Sequence, residues 1–247
     1  MRKKIAALKK DKESVFVWRS HEPSRLETFS DAVFAFAITL IMVSLEVPRT
    51  FDELFEVFKG FLSFACCFGI LFMIWNSQNL YFRRYGLNNA YVTSLNAMLL
   101  FVVLMYVYPL KFLFMALFSD GHYNDHGHIG VMITDQQQPT LMYVYHSGYA
   151  AIYLLFCLMH VHAKKRAAEI KLSAGELFET DTFILLNVLN ASLGILGILI
   201  VLLAPIKYKG SSGFIYMAIP FLYSFLFAYR GKKSRKRFGR NITEKVS

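Results

Sequence analysis

RLETFSDAVFAFAITLIMVSLEV, the stretch from Arg25 to Val47, opens with charged residues and turns into an apolar run that stops at Pro48. From about Thr28 onward it supplies the roughly twenty residues an α-helix needs to cross a hydrocarbon core about 30 Å thick. Five further apolar stretches follow, at about Leu54–Tyr81, Tyr91–Phe118, Thr140–Val161, Thr182–Leu203 and Phe214–Tyr229, the last being the shortest. Polar or Gly/Pro-marked turns separate them. The pattern predicts an all-α membrane protein with six transmembrane helices. It divides the chain into a basic N-terminal tail (1–24), a six-helix transmembrane unit (25–230) and a basic C-terminal tail (231–247).

Composition agrees with that class. Of the 247 residues 55% are hydrophobic and 16% aromatic, and only 18% are charged, against roughly 25% charged in a soluble domain. The formal charge of +10 raises the question of nucleic acid, and its placement answers it. Lys and Arg crowd the two tails rather than one folded face, so the expected partners are the bilayer and its anionic headgroups, with no nucleic acid. If loops are assigned alternately to the two sides, both tails and their companion loops hold all of the 27 Lys and Arg except Arg49, Lys59, Lys111, Lys207 and Lys209. The long loop Ser119–Pro139 has none. Basic residues mark the cytoplasmic side, so both termini are expected in the cytoplasm of a multi-pass cell (plasma or inner) membrane protein. The N-terminus runs from basic residues into Asp11, Lys12 and Glu13, which is not a signal-peptide pattern.

Within the first span, Ser30 and Asp31 follow Phe29, which already belongs to the apolar run. One reading is capping of the first helical turn, with Arg25 snorkelling to headgroups. The other is that an ionisable residue at this depth faces neighbouring helices, water or a partner. Further along, Phe36, Thr39, Leu40 and Val43 are offset by three, four and seven positions and share one helical stripe. Such a stripe either packs against its own neighbours or faces something outside the chain.

Arg25-x-x-x-Phe29-Ser30-Asp31, followed by Ala32-Val33-Phe34-Ala35 and the Ile38-Thr39-Leu40 run, resembles the signature of the endolysosomal TMEM-type potassium channel family. A single six-span unit matches its prokaryotic members. The resemblance implies a homo-oligomer, a homotetramer, in which the first helices line a central pore narrowed by apolar side chains. It implies a channel selective for potassium, weakly so over sodium, that needs no cofactor and carries K⁺ as its permeant ion. Phe36, Thr39, Leu40 and Val43 become the pore-facing candidates by position. Arg25, Phe29, Ser30 and Asp31, with Trp75 and Asn96, become a signature network joining the ends of helices one to three. The sequence departs from the family after Trp75, where Asn76-Ser77-Gln78-Asn79 puts an amide at a place where an imidazole is expected. It also departs at Phe36, where many relatives carry a smaller aliphatic residue.

Other constellations carry less. His122, Asp125, His126 and His128 have metal-ligand side chains at close spacing, but their Gly-rich loop reads more simply as solvated polar residues. His160 and His162 read as interface residues, Lys111 as a side chain snorkelling outward. Asn187 and Asn190 read as inter-helix hydrogen bonders, and Gly194 and Gly197 as sites of close helix approach. The three Cys, two of them adjacent at 66 and 67, fit neither a disulfide framework nor a redox pair. The rival functions are a secondary cation transporter or exchanger, a membrane enzyme, and a non-catalytic membrane subunit. Span interiors read as lacking ionisable residues, which argues against proton coupling, and no catalytic motif appears.

Overall fold

The computed structural model describes the backbone of residues 16–20, 22–43, 50–119, 121–125 and 128–239, and within these the side chains other than those of 43, 52–59, 122–125, 128–129 and 207. Helix α1 is Arg25–Val43. Ser24 and Glu27 start it reciprocally: Glu27 N–H donates to Ser24 Oγ at 3.2 Å, and Ser24 N–H to Glu27 Oε1 at 3.0 Å, the arrangement that pairs otherwise orphaned donors. The cap is therefore Ser24, and Ser30 and Asp31 lie well inside the helix, against the capping reading. Helix α2, Phe51–Tyr85, closes with Arg83 and Arg84 in its last turn, where cations suit the dipole. It stops at Gly86, whose φ of 61° an L side chain rarely adopts.

Helix α3, Ala90–Phe118, is capped by Asn89 and contains Pro109. Helix α4 is Gln138–Lys165, and α5, Ala174–Leu203, opens on a Ser173/Glu176 capping box. After one helical turn at Ile206–Lys209, a 3₁₀ stretch Gly210–Ala218 runs directly into α6, Ile219–Phe238. The expected outer loop contains an antiparallel hairpin, β1 (His122–Asp125) with β2 (His128–Val131), which the all-α reading did not include.

Among the described residues five segments are long and apolar enough to cross a membrane: Gly60–Tyr85, Ala90–Phe118, Gln138–Lys165, Ala174–Leu203 and Gly210–Phe238. Helix α1, which carries Arg25, Glu27 and Asp31 in its first two turns, is described only as far as Val43. The core joins Phe34, Ala37 and Ile41 of α1 to Leu71, Tyr81 and Phe82 of α2, Leu99, Val103 and Val107 of α3, and Ile152 and Met159 of α4. In lipid such packing rests on close contact and hydrogen bonds more than on water exclusion. Small residues supply the contact where α4 meets α5. A Cβ on Gly194 would lie 2.8 Å from Ala150 Cβ, and one on Gly197 would collide with the His146 ring. Asn190 supplies the bonds, accepting from Tyr149 Oη at 2.6 Å and donating to Tyr223 Oη at 2.6 Å.

Several expectations change here. Lys111 does not snorkel; it is buried. His160 is core rather than interface, enclosed by Tyr81, Tyr85 and Phe183 and near Asn187. His146, inside the α4 span, is fully buried between Ser212 Oγ (2.9 Å) and Tyr216 Oη (2.7 Å), so the span interiors do hold ionisable groups. Arg230, read at the edge of the tail, lies within α6; its guanidinium sits 3.7 Å from the Phe178 ring centroid and donates to Thr182 Oγ1 at 2.9 Å. The helix continues through Phe238 because these contacts replace solvent for the basic residue that seemed to end it.

The segment just before α1 is packed as well. Phe16 is buried against Tyr85, and Arg83 covers Trp18. Arg19 donates to both oxygens of Glu176 at 2.8 and 3.0 Å, to Ile170 O and to Arg84 O. The strap passes over Gly86, where a Cβ would sit 3.3 Å from Arg19 Cβ.

Candidate functional site

Helix α1 has two unlike faces. Phe34, Ala37 and Ile41 are buried against the chain's other helices, whereas Phe36 is 57% exposed beside a Phe34 that is 2% exposed. Thr39 is exposed and Leu40 half-buried; the side chain of Val43 lies outside the described residues. Thr39 Oγ1 donates to Phe36 O at 2.8 Å. That bond uses the hydroxyl proton, so the oxygen lone pairs remain available on the open stripe. The stripe is apolar except for this one acceptor.

Where α1 begins, α2 ends and α3 begins, buried polar groups join the three helices. Ser30 Oγ donates to Leu26 O at 2.8 Å, as a helical Ser does when it is turned inward. Asn96 Nδ2 of α3 donates to Ser30 Oγ at 2.9 Å, and Gln78 Nε2 of α2 donates to Asn96 Oδ1 at 2.6 Å. All three side chains are buried, where an unpartnered amide would be costly. Beside them, Trp75 Nε1 donates to Asp31 Oδ1 at 2.7 Å. A polar cavity of about 180 Å³ adjoins this end, lined in part by Glu22, Glu27, Asp31, Gln78 and Arg83.

Of the six signature residues, the structure thus brings Ser30, Asp31, Trp75 and Asn96 into hydrogen-bonded pairs. Arg25 and Phe29 are exposed and outside those pairs. Gln78, which sequence reading did not single out within Asn76-Ser77-Gln78-Asn79, is the amide that completes the chain from α1 to α2. Its signal was present: a second amide three residues after Trp75, at helical spacing from it. Among the described residues no three His, Cys, Asp or Glu side chains gather as metal ligands. The side chains of His122, His126 and His128 lie outside the described residues.

The arrangement offers no nucleophile paired with a base. It offers an apolar helix face open to the outside of the chain, fixed from behind by buried hydrogen bonds. Comparisons with known proteins give this face a context. The family model for the endosomal/lysosomal potassium channel TMEM175 matches residues 25–109, which contain α1, α2 and most of α3. A potassium channel from Marivirga tractuosa is 37% identical over 234 residues, covering 90% of this chain and 93% of the relative. A crystal structure of the potassium channel MtTMEM175, a variant in complex with a nanobody–MBP fusion protein, superposes with a TM-score of 0.73 at 34% identity, covering 90% of this chain and 97% of that one. The lysosomal potassium-selective channel TMEM175 homolog from Chamaesiphon minutus shares the fold at a TM-score of 0.54 and 18% identity, covering 84% and 99%. On its sequence and its helical architecture alike, this chain is a multi-pass membrane protein of the TMEM175 potassium channel family, a family of channels and not of enzymes.

Proposed function

We propose that the chain assembles as a homotetramer whose α1 helices surround a central pore, and that it conducts K⁺ with weak preference over Na⁺. The observation that carries this reading is the divided surface of α1: its own subunit covers Phe34, Ala37 and Ile41 and leaves Phe36 and Thr39 open. Four such stripes around an axis place Phe36, Leu40 and Val43 in apolar rings, with a ring of Thr39 hydroxyl oxygens among them. Apolar rings exclude water when narrow and admit hydrated ions when wide. K⁺ holds its hydration shell less tightly than Na⁺, so partial dehydration in the rings favours K⁺, and the Thr39 oxygens replace part of what is lost. Ser30, Asn96 and Gln78, with the Asp31–Trp75 bond, hold the start of α1 to α2 and α3. Asp31, beside the polar cavity, raises the local cation concentration. No cofactor takes part; K⁺ is the cargo.

In this reading α1 is the sixth span, both termini lie in the cytoplasm of a prokaryotic inner membrane, and the basic tails rest on anionic headgroups. Single-channel recording in asymmetric KCl and NaCl, with a mass measurement of the purified oligomer, tests it. Thr39→Ala is expected to lower the K⁺/Na⁺ permeability ratio, and Leu40→Ser to raise conductance or open probability. If both variants match the parent, the pore lies elsewhere.

A further inference from the structure

We propose that Arg19 is a positioning residue for the pore: it clamps the chain just before α1 to the end of α2 and to the α4–α5 turn, and so sets the tilt of α1. The inference rests on reading α1 as the pore helix. All three guanidinium nitrogens of Arg19 are engaged. Nε donates to Ile170 O at 2.8 Å, and Nη2 donates to Lys171 O at 3.2 Å and to Glu176 Oε2 at 3.0 Å. Nη1 is shared among Val17 O (3.0 Å), Arg84 O (3.0 Å) and Glu176 Oε1 (2.8 Å). The backbone joins in. Arg19 N–H and Ser20 N–H both donate to Arg83 O, at 3.0 and 3.4 Å, and Val17 N–H donates to Glu176 Oε1 at 3.1 Å. One side chain thus gathers the last turn of α2, the α4–α5 turn and the first turn of α5. A planar guanidinium can hold acceptors on several sides at once, and a compact ammonium cannot.

The clamp coincides with backbone strain. Lys171 takes a φ of 52°, a left-handed conformation uncommon for residues with a Cβ. Its carbonyl and the one before it are the two that Arg19 holds in this turn, and such strain persists where surrounding contacts over-determine it. From the clamp to α1 the chain is short. Ser20 Oγ donates to Glu22 O at 3.0 Å, Pro23 has a fixed φ, and Ser24 caps the helix. The stretch from Arg19 to Ser24 reaches at most about 18 Å. Further in, Ser30 is bonded to Asn96. A helix held at one point pivots; held at two, on either side of its cap, it keeps one tilt. Leu40 lies about 15 Å along the axis beyond Ser30, so a tilt of about 5° moves it by about 1.3 Å. Shifts of that size matter at an apolar constriction, where conduction depends on how closely the walls fit a hydrated ion.

The test is single-channel recording of the reconstituted full-length oligomer carrying Arg19→Lys, Arg19→Met, or Arg19→Met with Glu176→Gln, with Thr39→Ala recorded in parallel. A loss of stability alone lowers the number of channels and leaves the unitary current and the K⁺/Na⁺ permeability ratio as they were; a loosened tilt changes both. The double variant decides, because it strands no buried carboxylate. It is expected to spread the unitary current over several levels and to lower the permeability ratio about twofold. Arg19→Lys keeps a cation for Glu176 but cannot reach the carbonyls of Ile170 and Arg84 together, and is expected to show a smaller change in the same direction. If the double variant does not assemble, Arg19→Lys decides in its place. Parental unitary current and permeability ratio in the deciding variant overturn the inference, and so does a change confined to Arg19→Met, which assigns it to the stranded carboxylate. Thr39→Ala separates the two levels: a changed permeability ratio there keeps the pore reading while Arg19 is judged alone, and an unchanged ratio removes the pore reading and this inference with it.

Discussion

Asn96 reaches from α3 to α1 by donating to Ser30 Oγ at 2.9 Å, and in the same position it accepts from Gln78 of α2 at 2.6 Å. One amide thus satisfies partners on two other helices, and both partners are buried.

Asn96→Leu is expected to strand the Gln78 amide and destabilise the protein by about 1–3 kcal/mol. Adding Gln78→Leu to it should cost less than the sum of the two single changes, because the double variant leaves fewer buried donors unpaired. Thermal unfolding in detergent across the full double-mutant cycle measures this. Additive losses would show that the two amides do not act as a pair.

Removing the charge of Asp31 while keeping an acceptor for Trp75 separates its two roles. Asp31→Asn is expected to lower cation conductance about twofold at 0.1 M salt, where screening acts over about 10 Å, and to have little effect at 1 M, where it acts over about 3 Å. Trp75→Phe keeps the ring and loses the 2.7 Å bond, so it should reduce open-channel activity without that salt dependence. Conductance measured against KCl concentration distinguishes these outcomes.

Gly197 lies under the His146 ring and Gly213 faces open space. Gly197→Ala is expected to push α4 from α5 and cost about 1–3 kcal/mol. Gly213→Ala should leave the melting temperature nearly unchanged or raise it slightly. Equal melting temperatures for the two variants would contradict the contact.

The carboxylate of Glu176 is buried and takes both of its oxygens to Arg19. Arg19→Met leaves that charge without its cation and is expected to cost about 3 kcal/mol, and to release residues 16–20 to protease. Arg19→Met with Glu176→Gln should recover part of the loss. Limited proteolysis with a melt of each variant checks both points.

The second to fifth apolar runs were legible because span length and loop composition are local properties of a chain. So were the pairing roles of Asn187 and Asn190 and the small-residue contacts at Gly194 and Gly197. Lys111, His146, His160 and Arg230 were not. Lys111, His160 and Arg230 were placed by their own charge or polarity and His146 was not singled out, whereas their positions are decided by partners 27 to 70 residues away on other elements: Ile41 for Lys111, Ser212 and Tyr216 for His146, Asn187 for His160, Phe178 and Thr182 for Arg230. Gln78 was missed differently. Comparison with an expected imidazole drew notice to what the stretch 76–79 lacked, while the Gln78 amide was the donor that Asn96 needed. On α1, periodicity identified the stripe but not which way it turns, and the burial of Phe34 beside an open Phe36 supplies that.

The 3₁₀ winding of Gly210–Ala218 has a bearing on lipid thickness. Tight 3₁₀ turns rise about 2.0 Å per residue against about 1.5 Å in an α-helix, so the nine residues reach about 4 Å farther than an α-helical segment would. The last and shortest apolar run therefore stretches to match its longer companions, and rewinding it to α would let the same residues fit a thinner bilayer without tilting.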